Sequence, residues 1–117
     1  MAGKAKYLFI ASMDVDAGKE ALFNEVYDTE HVPILLGVPG VLSVARVKVR
    51  PLTMVLGGEK KTIVFENEPR YNAFYEIESP EVLTSEAWGR AVDQGRWTGE
   101  VRPYTKNRRH ILYERLG

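Results

Sequence analysis

Cysteine is absent from the 117-residue chain, and histidine occurs only twice. Without cysteine there is no disulfide framework, no thiolate nucleophile and no thiolate metal site, which suits a reducing compartment and predicts a cytoplasmic location. Lys plus Arg and Asp plus Glu each number 16, so no net charge draws the chain to nucleic acid or to an anionic membrane. The apolar run near the start is too short for a signal-peptide core or a membrane span. We therefore expect no nucleic-acid partner and no membrane partner.

Motifs for several kinds of chemistry are also missing. No serine lies in a Gly-x-Ser-x-Gly elbow, and Gly57-Gly58 lacks the strand-to-helix context of a phosphate loop. The segment from Asp28 to His31 lacks the second histidine of a helical zinc motif. We expect neither a bound metal nor a cofactor. The length and the 44% hydrophobic content predict a single domain over residues 1–117, because they leave no room for a second core.

The first half of the chain predicts a strand, a helix and a second strand. Residues 6–13 form an apolar, β-prone run, and Asp16 is placed to cap the helix that follows. Pro33 predicts that this helix stops or kinks just before it. After the Pro-Gly turn, residues 37–50 predict the second strand. The helix has an apolar stripe that should face a sheet, made of Leu22, Phe23, Val26 and Tyr27.

The second half predicts the same order of elements. Residues 70–78 predict a strand, and Ser79 with the proline after it predicts the start of a helix that Gly95 ends. A loop over residues 97–103 and a last strand over residues 107–116 follow. Two successive strand-helix-strand units predict an α+β protein with the ferredoxin-like βαββαβ fold, an antiparallel sheet and both helices on one face.

The segment 51–68 does not belong to this pattern. It contains two short apolar runs, residues 53–56 and 62–65, on either side of Gly57-Gly58, which predicts an extra hairpin between the second and third core strands.

The first strand is apolar on both of its faces. Tyr7, Phe9 and Ala11 alternate with Leu8 and Ile10, although a sheet with one wet face normally alternates apolar and polar residues. If the helices cover one face, something else must cover the other. The pattern predicts a homodimer in which a second copy packs sheet to sheet.

The stretch ALFNEVYDTEHVPILLGVPGVLSVARV resembles the helix-to-strand segment of EthD-like members of the dimeric α/β-barrel proteins. There, a helix that ends in an aromatic residue, an acid and Glu-His-x-Pro leads into Val-Pro-Gly and the second strand. The resemblance is specific over residues 22–47, and the excursion at 51–68 departs from it. It implies two ferredoxin-like sheets in a shared barrel, with a pocket between each sheet and its own helices. Members include cofactor-free cyclases, isomerases, dehydratases and monooxygenases, haem proteins and proteins of unknown role, so the fold fixes no reaction.

His31 and Tyr27 are the candidate catalytic residues. Tyr27 lies four residues after Phe23 and His31 four residues after Tyr27, so a continuous helix turns all three toward the sheet. The dipole at the helix end, with Asp28 and Glu30 nearby, predicts a raised pKa for His31 and a role as general acid or base. Two alternatives stay open: His31 contacts a ligand without catalysis, or it is structural and caps helix carbonyls or pairs with a carboxylate.

Aromatic side chains form the second candidate group. Tyr71 and Tyr75 share one face of the third core strand, while Trp88 and Trp97 come from the second helix and the loop after it. They are candidates to bind a flat hydrophobic ligand, although core filling is the alternative, especially for Trp88. On the last strand, His110 shares a face with Arg108 and Leu112, and we expect it at an edge or an interface.

Two hypotheses of function remain open. In the first, the protein is a cofactor-independent lyase, isomerase, cyclase or monooxygenase that acts on a hydrophobic aromatic or carbonyl compound, with His31 as acid/base and Tyr27 orienting the substrate. In the second, it is a non-catalytic homodimer that binds a small hydrophobic ligand or supports another protein. The space beside His31 discriminates them, because an enclosed cavity favours the first and a filled core the second.

Overall fold

The computed structural model describes residues 5–117. Residues 1–4 belong to the start of the chain, where the sequence predicts no signal peptide, and they lie outside the described residues. Within residues 5–117 the strands, in chain order, are β1 (Tyr7–Val15), β2 (Val41–Lys48), β3 (Leu52–Leu56), β4 (Glu59–Ile63), β5 (Tyr71–Ile77) and β6 (Thr105–Glu114). The α-helices in the same range are α1 (Glu20–Val26), α2 (Val32–Leu36) and α3 (Glu86–Ala91). No helix among the described residues combines the length and the apolar character needed to cross a bilayer.

The main sheet has the strand order β2-β5-β1-β6, and each neighbouring pair is antiparallel. Because β1 and β2 are joined through α1 yet separated by β5, this is the split βαβ arrangement of the ferredoxin-like fold. The predicted α+β class and strand order are confirmed. In the register of the sheet, Phe9 lies opposite Tyr75, and Ala11 lies opposite His110.

The core lies between this sheet and the helices. Alternate residues of β1 face the helices, so Ala11, Met13 and Val15 are buried. From the helical layer, Phe23, Val26 and Leu35 are each no more than 1% exposed. The amphipathic stripe of the first helix thus faces the sheet, as the sequence predicts.

The opposite face of the sheet is also apolar. A groove on it is lined by side chains that include Ile10, Phe74, Ile111 and Tyr113. Val47 and Tyr113 on this face are 40% and 50% exposed. The single chain therefore leaves uncovered the second apolar face that the sequence predicts.

The first helix differs from its predicted form. Regular α geometry ends at Val26, a π-helical turn spans Tyr27–His31, and the chain remains helical through α2. The N–H of Val32 donates to the carbonyl of Tyr27, five residues back. Pro33 has no N–H to donate and would clash in a regular α-helix, so the wider π turn accommodates it without ending the helix. Asp16 makes no side-chain cap and pairs with Lys106 at 3.2 Å.

The second helical region is more broken than the sequence predicts. A 3₁₀ turn spans Pro80–Thr84, and α3 starts only after the extended residue Ser85, whose Oγ accepts a hydrogen bond from the N–H of Trp88 at 3.1 Å. Ser79 makes no side-chain cap. The predicted loop after Gly95 is instead helical, with a π turn over Trp97–Val101 and a 3₁₀ turn over Arg102–Tyr104.

The segment 51–68 contains the predicted hairpin. Strands β3 and β4 pair only with each other, and Gly57 and Gly58 turn the chain with φ angles of 60° and 84°. The second strand of the hairpin, β4, starts and ends earlier than the apolar run that predicted it. Val64 and Phe65 therefore lie beyond β4, and they are 62% and 74% exposed.

A turn glycine between α2 and β2 provides a test of the packing between the two halves. Gly40 has φ of +92°, and an added Cβ would collide with the side chain of Val82. We expect Gly40→Ala to lower the free energy of unfolding by about 2 to 4 kcal/mol, through backbone strain and overpacking together.

The matched control is Gly89→Ala in α3, where nothing lies within 4 Å of the added Cβ. This variant should be neutral or more stable by up to about 1 kcal/mol, because alanine is the better helix former. Urea denaturation measures both. Equal midpoints for the wild type and Gly40→Ala would contradict the packing described.

Candidate active site

The π turn directs two candidate side chains into the space between the helices and the sheet. The ring centroids of Phe23 and Tyr27 are 5.3 Å apart, and those of Tyr27 and His31 are 5.0 Å apart. All three side chains are buried. The predicted shared face is therefore present, although a π turn rather than an α-helix produces it. Single π turns within helices are frequent at functional sites.

A cavity of about 220 Å³ lies beside these residues. Its walls come from β1, β5, β6, the first helical layer and the chain around Trp97. Aromatic rings form much of it: Phe9, Tyr27, Tyr75, Trp88 and Trp97. Its histidine and arginine side chains are His31, Arg102, Arg108 and His110.

His31 is 4% exposed and forms part of the cavity wall. Its ring stacks on that of Trp97, with centroids 4.3 Å apart and planes inclined by 20°. Its Nδ1 is buried and has no hydrogen-bond partner among the described residues. A buried polar atom without a partner is unusual and calls for a functional or structural reason.

The pKa of His31 is lowered, whereas the sequence predicted a raised pKa. Burial, and then the positive charge of Arg102, lower its pKa from 6.5 to about 4. The acids expected to raise it are engaged elsewhere, since Glu30 binds Arg96 and Asp28 binds Arg46. The helix also continues through α2, so His31 does not lie at a helix end where the dipole would favour its charge. The imidazole is neutral near pH 7.

Tyr27 and Tyr75 form a hydroxyl pair beside His31. Their oxygens are 3.3 Å apart, and the side chains are only 3% and 1% exposed. Burial is the main cause that raises the pKa of each phenol. Both hydroxyls therefore stay protonated at neutral pH, and one can donate to the other while the second donates to a bound oxygen.

Trp97 is held against His31 by an ion pair. The carboxylate of Glu30 accepts hydrogen bonds from the backbone N–H of Arg96 at 2.9 Å and from its Nε at 2.6 Å. The backbone of Gly95, with φ of +70°, packs against the same carboxylate so closely that a Cβ would collide with it. This contact between distant parts of the chain, which we call the Glu30–Arg96 clamp, positions the tryptophan that stacks on His31.

The four aromatic candidates separate into two groups. Tyr75, Trp88 and Trp97 line the cavity with His31 and Tyr27. Tyr71 lies elsewhere: its hydroxyl donates to the carboxylate of Glu20, and its ring packs on Phe23 at 5.0 Å. We conclude that Tyr71 is not a cavity residue.

The sequence did not predict one histidine and two arginines as cavity residues. His110 lies on the edge strand β6, as predicted, but its ring stacks on Phe9 at 5.9 Å and faces the cavity. Arg108 faces the same way from the same strand, and Arg102 comes from the stretch predicted to be a loop. Strand alternation was a usable signal for the first two, because it places them on one face.

No group of three or more histidine or acidic residues suited to a metal occurs within residues 5–117.

The lowered pKa of His31 predicts a specific acid sensitivity. The unfolded chain, with an ordinary histidine pKa of 6.5, binds this proton before the folded chain does, so stability falls as the pH drops from 6.5 toward 4. Between about pH 7 and about pH 5 the expected loss is about 2 kcal/mol, at about 1.4 kcal/mol per unit of difference in pKa. His31→Asn should abolish this component.

Urea denaturation of both proteins at the two pH values measures the difference, and the contribution of the carboxylates cancels between them. His110→Asn is the control: burial lowers the pKa of His110 too, but this side chain is exposed, so its component should be smaller. Equal acid losses in the wild type and His31→Asn would contradict a buried neutral imidazole.

No protein-family model matches the sequence, and no curated protein does. Solved structures do match the fold. One is the haem-degrader MhuD from Mycobacterium tuberculosis with two haems bound in its active site, with a TM-score of 0.57 and 20% identity, covering 94% of this chain and 95% of that one. A mutant of MhuD with two manganese protoporphyrin IX molecules per active site has a TM-score of 0.58 and 18% identity, covering 94% of each chain.

An EthD family protein from Bacillus halodurans C-125 also matches, with a TM-score of 0.57 and 11% identity, covering 94% of this chain and 99% of that one. Identities this low establish the fold and not the activity. The resemblance predicted from residues 22–47 is thus confirmed at the level of architecture. The chain has the ferredoxin-like fold that EthD-like proteins and MhuD share.

Proposed function

We propose that the protein is a small homodimeric enzyme that works without a cofactor and moves a proton on a hydrophobic aromatic or carbonyl compound, with His31 as the base. Isomerases, lyases, cyclases and cofactor-free monooxygenases all include such a step. The observation that carries the proposal is the Nδ1 of His31, which is buried without a partner at the wall of a cavity of about 220 Å³. A filled core would have favoured a structural role.

In the proposed reaction, neutral His31 takes a proton from the carbon next to a carbonyl group. The electrons of the broken C–H bond move into the carbonyl, and its oxygen becomes an enolate oxygen. The Tyr27–Tyr75 hydroxyl pair donates a hydrogen bond to that oxygen, since burial keeps both phenols protonated. Returning the proton to another carbon isomerises the compound, and expelling a leaving group makes the step a lyase reaction.

The second candidate is a ligand-binding protein without catalysis. One observation favours it: a pKa of about 4 makes the free His31 a weak base at neutral pH, whereas general bases work best with a pKa near the operating pH. The same aromatic walls would then hold a flat ligand that is not transformed. Binding without turnover distinguishes this candidate from the enzyme.

Haem does not suit this site. Ligand pockets usually measure about 300 to 1,000 Å³ for drug-sized molecules, and the cavity beside His31 measures about 220 Å³. A haem macrocycle is larger than such molecules and needs more space than this cavity provides. We therefore assign no haem step to the protein, although MhuD degrades haem.

The homodimer rests on the uncovered face of the sheet. Exposed apolar side chains, among them Val47 and Tyr113, line the groove together with Ile111 and support the packing of a second copy there. The hairpin of β3 and β4 supports an arm that reaches the partner, since it carries exposed Leu52, Met54, Val55 and Leu56.

The catalytic proposal predicts a large loss of activity in His31→Ala. Aromatic and carbonyl compounds that raise the melting temperature are selected first, and proton NMR in D₂O then follows enzyme-dependent exchange of the proton next to their carbonyl. We expect His31→Ala to slow this exchange by about a hundredfold or more. Its stability should fall by about 1 to 2 kcal/mol, because the stacking on Trp97 is lost.

Tyr27→Phe should slow exchange less, since it removes only a hydroxyl. Its matched control is Tyr71→Phe, which loses the same group outside the cavity and should exchange at the wild-type rate. Compounds that bind tightly but never exchange would favour the ligand-binding protein.

The dimer predicts a molecular mass of twice 13.3 kDa in sedimentation equilibrium at about micromolar concentration. Ile111→Glu places a charge in the groove of the open sheet face and should shift the protein toward monomer. The control is Leu36→Glu, at a residue of α2 that is 44% exposed, and it should leave the dimer intact. A monomeric wild type would refute the proposed assembly.

A further inference from the structure

The charged side chains that line the cavity beside His31 are cationic, and the carboxylate that pairs with one of them, that of Asp93, lies outside the wall. Two guanidinium groups, those of Arg102 and Arg108, belong to this wall, and no aspartate or glutamate does. Among the described residues Arg108 makes no ion pair, and it lies on exposed strand β6 at the side of the cavity where His110 also lies. A cation such as Arg108, which lines a pocket without a balancing carboxylate, favours an anionic ligand.

Arg102 has a buried donor without a partner among residues 5–117. Its Nη2 donates to the carbonyl of Val92 at 3.2 Å and to the carboxylate of Asp93 at 2.9 Å. These bonds hold the guanidinium, while its Nε is buried and has no partner within the described residues. The N–H at this position can only donate, because arginine stays protonated. A ligand oxygen that accepts from it would satisfy a buried donor that is otherwise costly.

The size and walls of the cavity specify the rest of the ligand. An apolar cavity of roughly 150 Å³ accommodates benzene, so about 220 Å³ leaves room for one ring with a small substituent. The rings of Phe9, Trp88 and Trp97 offer flat apolar surfaces to such a ring.

Building on the proposed function, we infer that the ligand is a monoaromatic carboxylate. Its ring packs among the aromatic walls, and its carboxylate accepts a hydrogen bond from Nε of Arg102 and faces the charge of Arg108. A bound carboxylate also changes the pKa of His31. Besides burial, the charge of Arg102 lowers the pKa of His31, and a bound carboxylate offsets that charge. The anion of the ligand thus makes the imidazole a stronger base when the site is filled.

The test compares ligands of equal shape and different charge. Benzoate is paired with benzamide, and phenylacetate with phenylacetamide. The two tryptophans of the sequence, Trp88 and Trp97, both line the cavity, so quenching of intrinsic fluorescence reports binding directly. We expect each carboxylate to bind at least about tenfold more tightly than its amide, since hydrogen bonds to charged groups are the stronger kind.

The variant Arg102→Met should reduce this preference to less than about threefold. Arg90→Met is the control, because Arg90 lies on α3, pairs with Glu86 and does not line the cavity, and it should keep the full preference. Circular dichroism checks that each variant folds. If Arg102→Met does not fold, the comparison of carboxylates with amides on the wild type decides the matter alone.

Two results would overturn the inference while leaving the proposed enzyme intact: amides that bind as tightly as carboxylates, or an undiminished preference in folded Arg102→Met. His31-dependent exchange on neutral carbonyl compounds would then still stand. If no compound of either class binds, by fluorescence or by thermal shift, the inference and the proposed function both fail.

Discussion

The site depends on the clamp between Glu30 and Arg96. Each end of this ion pair belongs to a π-helical turn or lies directly before one, the first over Tyr27–His31 and the second over Trp97–Val101. Two hydrogen bonds to one carboxylate fix both distance and orientation, which a single contact does not. Because the clamp joins the turn that carries His31 to the turn that carries Trp97, it brings the two rings together and forms this part of the cavity wall. The histidine keeps its place without any hydrogen bond to its own Nδ1.

The unsatisfied atoms of the cavity distinguish it from an ordinary core. The imidazole Nδ1 of His31 and the Nε of Arg102 are buried without hydrogen-bond partners among the described residues. Each such atom lowers the stability of the fold by roughly 1 to 3 kcal/mol. Proteins retain such costs chiefly where a ligand removes them. The low pKa of His31 and the raised pKa of the Tyr27–Tyr75 pair have the same origin, since burial is the first cause of each. Burial at one cavity therefore places a neutral base beside two neutral donors.

Local patterns predicted the elements of the fold but not the chemistry of the site. Strand order, the hairpin at Gly57-Gly58 and the inward face of Tyr27 and His31 depend on periodicity and turn residues, which the sequence displays directly. The sign of the pKa shift of His31 depends on contacts that no local pattern contains: Glu30 is drawn to Arg96, 66 positions away, and Arg102 approaches from the far end of the chain. The sequence did not predict His110 as a cavity residue because its neighbours depend on how β6 pairs with β1. That pairing places His110 opposite Ala11. Arg102 was missed because the turns after Gly95 use π and 3₁₀ geometry, which has no clear sequence signature.

The central claim is that His31 is a neutral, buried base in a cavity. The most direct measurement is a pH titration of the imidazole nitrogens by long-range ¹H–¹⁵N NMR, with His110→Asn used to assign the two histidines of the chain. The account predicts that His31 remains neutral well below its ordinary pKa of 6.5 and titrates at about 4. A His31 that titrates at 6.5 or above would contradict it, because the imidazole would then be solvated or paired with a carboxylate and would not be a buried, neutral base.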